Sequence, residues 1–171
     1  VEISDTWREI QARHSYPPAV KTVLGEMLAA AALLSANLKF NGSIIMQIHG
    51  DGPVRLLVVE CDADLQMRAT AKLAPDAVID DADGLQQLVH AHGQGRFVIT
   101  LDPHDKMPGQ QAYQGIVPLD GETVAIVIEN YMLRSEQLDY RIDATGENFI
   151  EGIQRQVDPM VGDPALGKIV G

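Results

Sequence analysis

Cysteine is almost missing from this sequence: Cys61 is the only one among 171 residues. A lone thiol excludes an internal disulfide framework and the paired cysteines of a structural zinc site. Basic residues are also scarce, 13 against 24 acidic, for a formal net charge of -11. Binding to a nucleic-acid backbone needs a cationic footprint, so this balance argues against nucleic acid as the ordinary partner, and the acidity favours solubility. Aromatics are 5% of the chain, with Trp7 the single tryptophan. No apolar run is read as having transmembrane length, so no membrane partner is expected. Ser35 and Ser135 lie in no Gly-x-Ser-x-Gly elbow, and there is no internal repeat. The chain begins at Val1 with no signal-peptide pattern, which describes this chain more than any longer parent.

What is present suits one domain. Hydrophobic residues make up 46%, and a chain of this length buries about 70% of the surface its unfolded form exposes. The stretch from Phe40 to Leu73 holds three runs of strand character, parted by Gly50-Asp51-Gly52-Pro53 and Asp62-Ala63-Asp64, and reads as an antiparallel meander. In the first run Ile44, Met46 and Ile48 oppose Ile45, Gln47 and His49. The second is apolar on both faces, Val54, Leu56 and Val58 against Leu57, Val59 and Cys61, and is expected to be central and covered. In the third, Leu65, Met67, Ala69, Ala71 and Leu73 oppose Gln66, Arg68, Thr70 and Lys72, one face meeting water.

A sheet of this kind needs an apolar partner, and Ala19 to Leu38 supplies one. Its early turns are amphipathic, but from Ala29 to Leu34 six apolar residues follow one another, which demands cover on all sides. Gly25 is either a packing contact or a helix-propensity cost of about 1 kcal/mol. Before it, Asp5 to His14 has helix character with Trp7 and Ile10 inward, capped by Ser4 or Asp5. Later the pattern predicts a short helix in Gly84 to His92, a strand pair Arg96 to Leu101 and Tyr113 to Leu119, a helix from Glu122 to Gln137, and strands at Tyr140 to Ala144 and Phe149 to Val157. The fold class is therefore α+β, with antiparallel or mixed sheets around a long buried central helix in a single domain, residues 1–157. Residues 158–171 read as a linker or a cut-off element.

Chemistry is sparse. The aspartates Asp76, Asp80, Asp81 and Asp83 fail the calcium-loop pattern, because placing Gly84 at the sixth position puts Ile79 at the first. His90 and His92 diverge on a helix and find no third ligand. Gly93-Gln94-Gly95 precedes a strand, whereas phosphate-binding glycines follow one and open a helix. Cys61 is read as a small buried hydrophobe rather than a nucleophile. Residue chemistry alone gives no enzyme; exposed apolar surface, which has no short motif, would produce such a sequence.

Five segments, Tyr16-Pro17-Pro18-Ala19-Val20-Lys21-Thr22-Val23-Leu24-Gly25-Glu26, Leu38-Lys39-Phe40-Asn41-Gly42, Gln47-Ile48-His49-Gly50-Asp51-Gly52-Pro53, Tyr113-Gln114-Gly115-Ile116-Val117 and Tyr131-Met132-Leu133-Arg134-Ser135-Glu136-Gln137-Leu138, resemble in this order the N-terminal domain of the redox-regulated thirty-three-kilodalton heat-shock chaperone family. The resemblance implies a cytoplasmic, ATP-independent holdase that binds unfolding client proteins and forms a homodimer. It also implies that zinc and the redox switch belong to a C-terminal four-cysteine domain that is not in this chain, so that no cofactor is expected here and 158–171 would start the regulatory region. Candidate client-binding residues are Ile45, Leu57 and Val59, expected on one face of the meander, with Phe149, Ile153 and Val157. Arg134 and Glu136 are read as structural pairing or capping. The competing reading is an enzyme or small-ligand protein with a pocket near His49, Cys61 or His104; a third is a structural oligomer.

Overall fold

The computed structural model describes residues 3–37 and 41–134. Their elements run α1 (Ser4–Arg13), α2 (Pro18–Asn37), β1 (Gly42–His49), β2 (Val54–Asp62), β3 (Met67–Leu73), α3 (Leu85–Val89), β4 (Arg96–Pro103), β5 (Tyr113–Val117) and α4 (Val124–Arg134). The strands form one five-stranded sheet in the order β3-β2-β1-β4-β5, every pairing antiparallel. The architecture is thus α+β, with the antiparallel alternative realised. β1, rather than β2, holds the middle position, because β4 returns to pair with its second edge.

Helix α2 is the centre of the core. It lies across β1, β2 and β3 and packs against α4. Ala29, Ala30, Ala31 and Ala32 are all fully buried; their small side chains let the sheet and the neighbouring helix approach together. By length and composition alone α2 could cross a membrane. This corrects the expectation that no such run exists; here the apolar surface is spent on the domain's own core. Gly25 is a packing contact: a Cβ there would touch the Trp7 ring at 3.4 Å, and Trp7 is buried against it. The start of α1 carries no side-chain cap, and Asp5 instead pairs with Arg8 at 2.9 Å.

Residues paired across strands share a face. Ile44 stands opposite Cys61 and Leu101, Met46 opposite Val59 and Ile99, and Ile48 opposite Leu57 and Phe97. This set, with Ala69 and Ala71 of β3 and Val117 of β5, forms the inner face. Fully burying one such Val, Leu or Ile stabilises the fold by about 1.5–3 kcal/mol. Leu65, expected to begin the alternation of β3, sits instead in the preceding turn at φ 60. The outer edge of β3 is closed by Tyr16, whose hydroxyl accepts the Ala71 N–H at 3.0 Å, a device against edge-to-edge pairing. The strands expected at Tyr140 to Ala144 and Phe149 to Val157 lie outside the described residues.

Candidate functional site

The face of the sheet turned away from α2 carries an unusual mixture. Reading across from β3 to β5 by register, one row is Arg68, Glu60, Ile45, Thr100 and Gln114. The next is Thr70, Val58, Gln47, Val98 and Ile116, and a third is Lys72, Leu56, His49 and Arg96. Ile45, Leu56, Val58 and Val98 are only half-buried, and Ile116 is 65% exposed. Four half-buried apolar side chains and the exposed Ile116 thus share one face, interleaved with Gln47, Glu60 and Thr100, a grouping rather than a scatter of single residues.

The patch has borders. At one end Ser43 and Thr100 are covered, Ser43 Oγ lying 3.3 Å from His104 Nε2 and Thr100 Oγ1 accepting from Gln114 Nε2 at 3.4 Å. Along the β3 side, Arg68 is ion-paired with Glu60. At the other end stand the exposed side chains of Lys72, His49 and Arg96.

Of the six candidate residues, only Ile45 reaches this face among the described residues. Leu57 and Val59 are fully buried and pair with Ile48 and Met46, so they belong to the inner face, opposite Ile45. The expectation that the three share a face is corrected: Ile45 stands opposite Glu60, whose parity along β2 is that of Val58 and Leu56. Phe149, Ile153 and Val157 lie outside the described residues. Leu56, Val58, Val98 and Ile116 went unnamed as candidates. A signal for the first two existed, since Glu60 must sit on the wet side with Arg68, and residues two and four before it go with it.

The three residues named for a competing pocket, His49, Cys61 and His104, are not brought together. Cys61 is buried on the inner face, whereas His49 and His104 mark opposite ends of the outer one. The six residue steps of β1 from Ser43 to His49 span about 20 Å. Burial pushes the Cys61 thiol up, with the Ser35 hydrogen bond opposing and Asp62 adding, so it is a poor thiolate. Among the described residues no three His, Cys, Asp or Glu side chains gather as a metal site requires. A zinc switch of four cysteines does not fit a chain whose single cysteine is Cys61.

Two carboxyl groups do structural work behind the face. Glu26 of α2 accepts the Val124 N–H at the start of α4 at 2.9 Å, while Thr123 Oγ1 caps the Ile126 N–H at 3.2 Å. Burial pushes Glu26 up to about 6, the Val124 hydrogen bond opposing. Asp51, in the turn between β1 and β2, accepts the N–H groups of Gln94 at 2.6 Å and His92 at 3.1 Å. Desolvation pushes its carboxyl up, but those bonds and the imidazoles of His92 and His90 outweigh it and hold it below the ordinary carboxylate range. Arg134 pairs with Asp120 at 2.8 Å, a structural tie between α4 and the turn before it.

Residues 1–154 match the family model described as Hsp33 protein. A 33 kDa chaperonin of Chromobacterium violaceum is 47% identical over 91% of this chain and 51% of its own length. One of Cronobacter sakazakii is 43% identical over 93% of this chain and 53% of its own, and one of Neisseria gonorrhoeae 39% identical over 96% and 54%. The chain therefore spans about half the length of these relatives. The crystal structure of a 33 kDa chaperonin from Thermotoga maritima shares the fold, with a TM-score of 0.59 and 24% identity over 78% of this chain and 45% of that one. These relatives bear a chaperone's name and not an enzyme's, and with residues 1–154 of its 171 matched by the family model the chain belongs to the Hsp33 family.

Proposed function

We propose that this chain is an ATP-independent holdase domain that binds unfolding client proteins on the outer face of its sheet. The observation that carries the reading is the set of half-buried Ile45, Leu56, Val58 and Val98 with exposed Ile116 on the face of the sheet turned away from the core. An extended apolar segment laid on it would remove apolar surface of both partners from water, at about 25 cal/mol per Å². Nothing in this binding requires nucleotide or a covalent step.

In this reading residues 1–157 are the client-binding and dimerising unit of a cytoplasmic chaperone, and 158–171 lead toward a regulatory region carrying the zinc and disulfide chemistry. Phe149, Ile153 and Val157 remain candidate extensions of the client surface. Leu57 and Val59 contribute by holding the sheet against α2. The test is light scattering from a chemically denatured client diluted into buffer with equimolar chain, reduced and without ATP. Suppressed aggregation is expected; a folded sample that leaves scattering unchanged would sink the reading.

A further inference from the structure

The outer face has a charge pattern that composition conceals. The chain is strongly acidic, yet the row Lys72, Leu56, His49, Arg96 presents no carboxylate. Among the described residues Arg8, Arg13, Arg68, Lys106 and Arg134 each stand within ion-pair distance of an acidic side chain. Lys72 and Arg96 do not, and both are exposed. Arg55, exposed at the irregularity of β2 beside Leu56, adds a third cation, its guanidinium only donating to the Asp51 carbonyl at 3.4 Å.

Lys72 and Arg96 are three strand spacings apart, about 14 Å, and lie two residues along the strands from the apolar row of Val58 and Val98, about 7 Å. The apolar patch is therefore open toward a cationic rim, while its opposite end is closed by His104 and Gln114. We propose that Lys72 and Arg96 determine which client segments bind: apolar stretches with aspartate or glutamate within a few residues are preferred over those with neutral or basic flanks. The proposal deepens the holdase reading and rests on it. Charge complementarity selects the occupant, since an acidic flank replaces water around two cations that have no ion-pair partner among the described residues. The overall charge of the chain works in the other direction, repelling acidic peptides at long range. A preference for them would have to be local.

The experiment measures anisotropy of three labelled unfolded peptides sharing one apolar core, flanked by Glu, Ser or Lys, binding to the chain and to its Lys72→Glu/Arg96→Glu variant at low and high salt. The variant sites are exposed, and circular dichroism verifies its fold. For the original chain the Glu-flanked peptide should bind about fivefold tighter than the Ser-flanked one, as two exposed pairs allow. High salt should erase the gain, and the variant should reverse it while holding the Ser-flanked peptide within twofold. Equal binding of Glu- and Ser-flanked peptides overturns the charge preference and leaves the holdase reading standing. A preference that survives in the variant overturns it too, and so does a change in sedimentation mass without a change in preference, which would give the row to a second copy. Binding of none of the three overturns the holdase reading as well.

Discussion

At the scale of single residues, neighbours in β2 divide sharply in role. Leu57 and Val59 are enclosed beneath α2, whereas Val58 between them faces outward and is half-buried. Leu57→Ala should cost about 2–5 kcal/mol through lost burial and the cavity left behind, read as a fall in thermal midpoint of at least several degrees. Ile45→Ser, on the open face, should change stability by about 1 kcal/mol or less and yet weaken suppression of client aggregation severalfold. If the two substitutions exchanged effects, the assignment of faces would be wrong. Hydrophobicity could not separate these positions, because all are aliphatic. Only pairing register, with Glu60 opposite Ile45 and Arg68, distinguishes them.

At the scale of elements, α4 is fastened to α2 through the Glu26 carboxylate, and the β1–β2 turn to the loop after α3 through Asp51. The two groups give pH dependences of opposite sign. Glu26 binds its proton more tightly in the folded state, so its contribution to stability rises as pH falls from 7 through about 6 toward its ordinary 4.5. The shift corresponds to about 2 kcal/mol. Denaturant unfolding should find Glu26→Gln more stable than the original chain at pH 7.5, with the gap closing by pH 5. A gap independent of pH would mean that the carboxylate is not desolvated. Asp51, held below its ordinary range, contributes stability above that range and loses it as pH falls through its folded value. Asp51→Asn should therefore flatten the acid limb of the stability profile. Thr123→Ala, which removes the remaining cap of α4, should cost about 0.5–2 kcal/mol in the same unfolding measurement. None of these ties is visible in a sequence pattern, since Glu26 and Val124 are 98 residues apart.

At the scale of the molecule, α2 is long and apolar enough to span a membrane and is nevertheless a core helix, flanked by the sheet and α4. The sheet it supports has one face packed against the core and one that keeps half-buried apolar side chains and the exposed Ile116, and that asymmetry motivates the holdase proposal. Adding the outer-face substitutions Ile45→Ser and Val98→Ser together should reduce client holding more than either alone while leaving the unfolding midpoint within a few degrees, measured by light scattering and by melting. A drop in stability equal to that of Leu57→Ala would mean that the outer face is core.

The sequence by itself determined the kinds of element and nearly all their positions among the described residues. The alternation of period two in β1 and β3, the dry second half of α2 and the Gly-Asp-Gly-Pro turn are local properties, legible because each is set by neighbours within a few residues. It also carried the family resemblance and the lack of a disulfide or zinc framework. Tertiary structure decided the rest: that β4 pairs with β1 and makes it central, that α2 covers Leu57 and Val59 but not Ile45, and that Lys72 and Arg96, 24 positions apart in the numbering, line one end of the same open face. The physical reason is register. A strand apolar on both sides is indifferent to which face it buries until its cross-strand partners are fixed, and those partners are brought together only by the folded sheet.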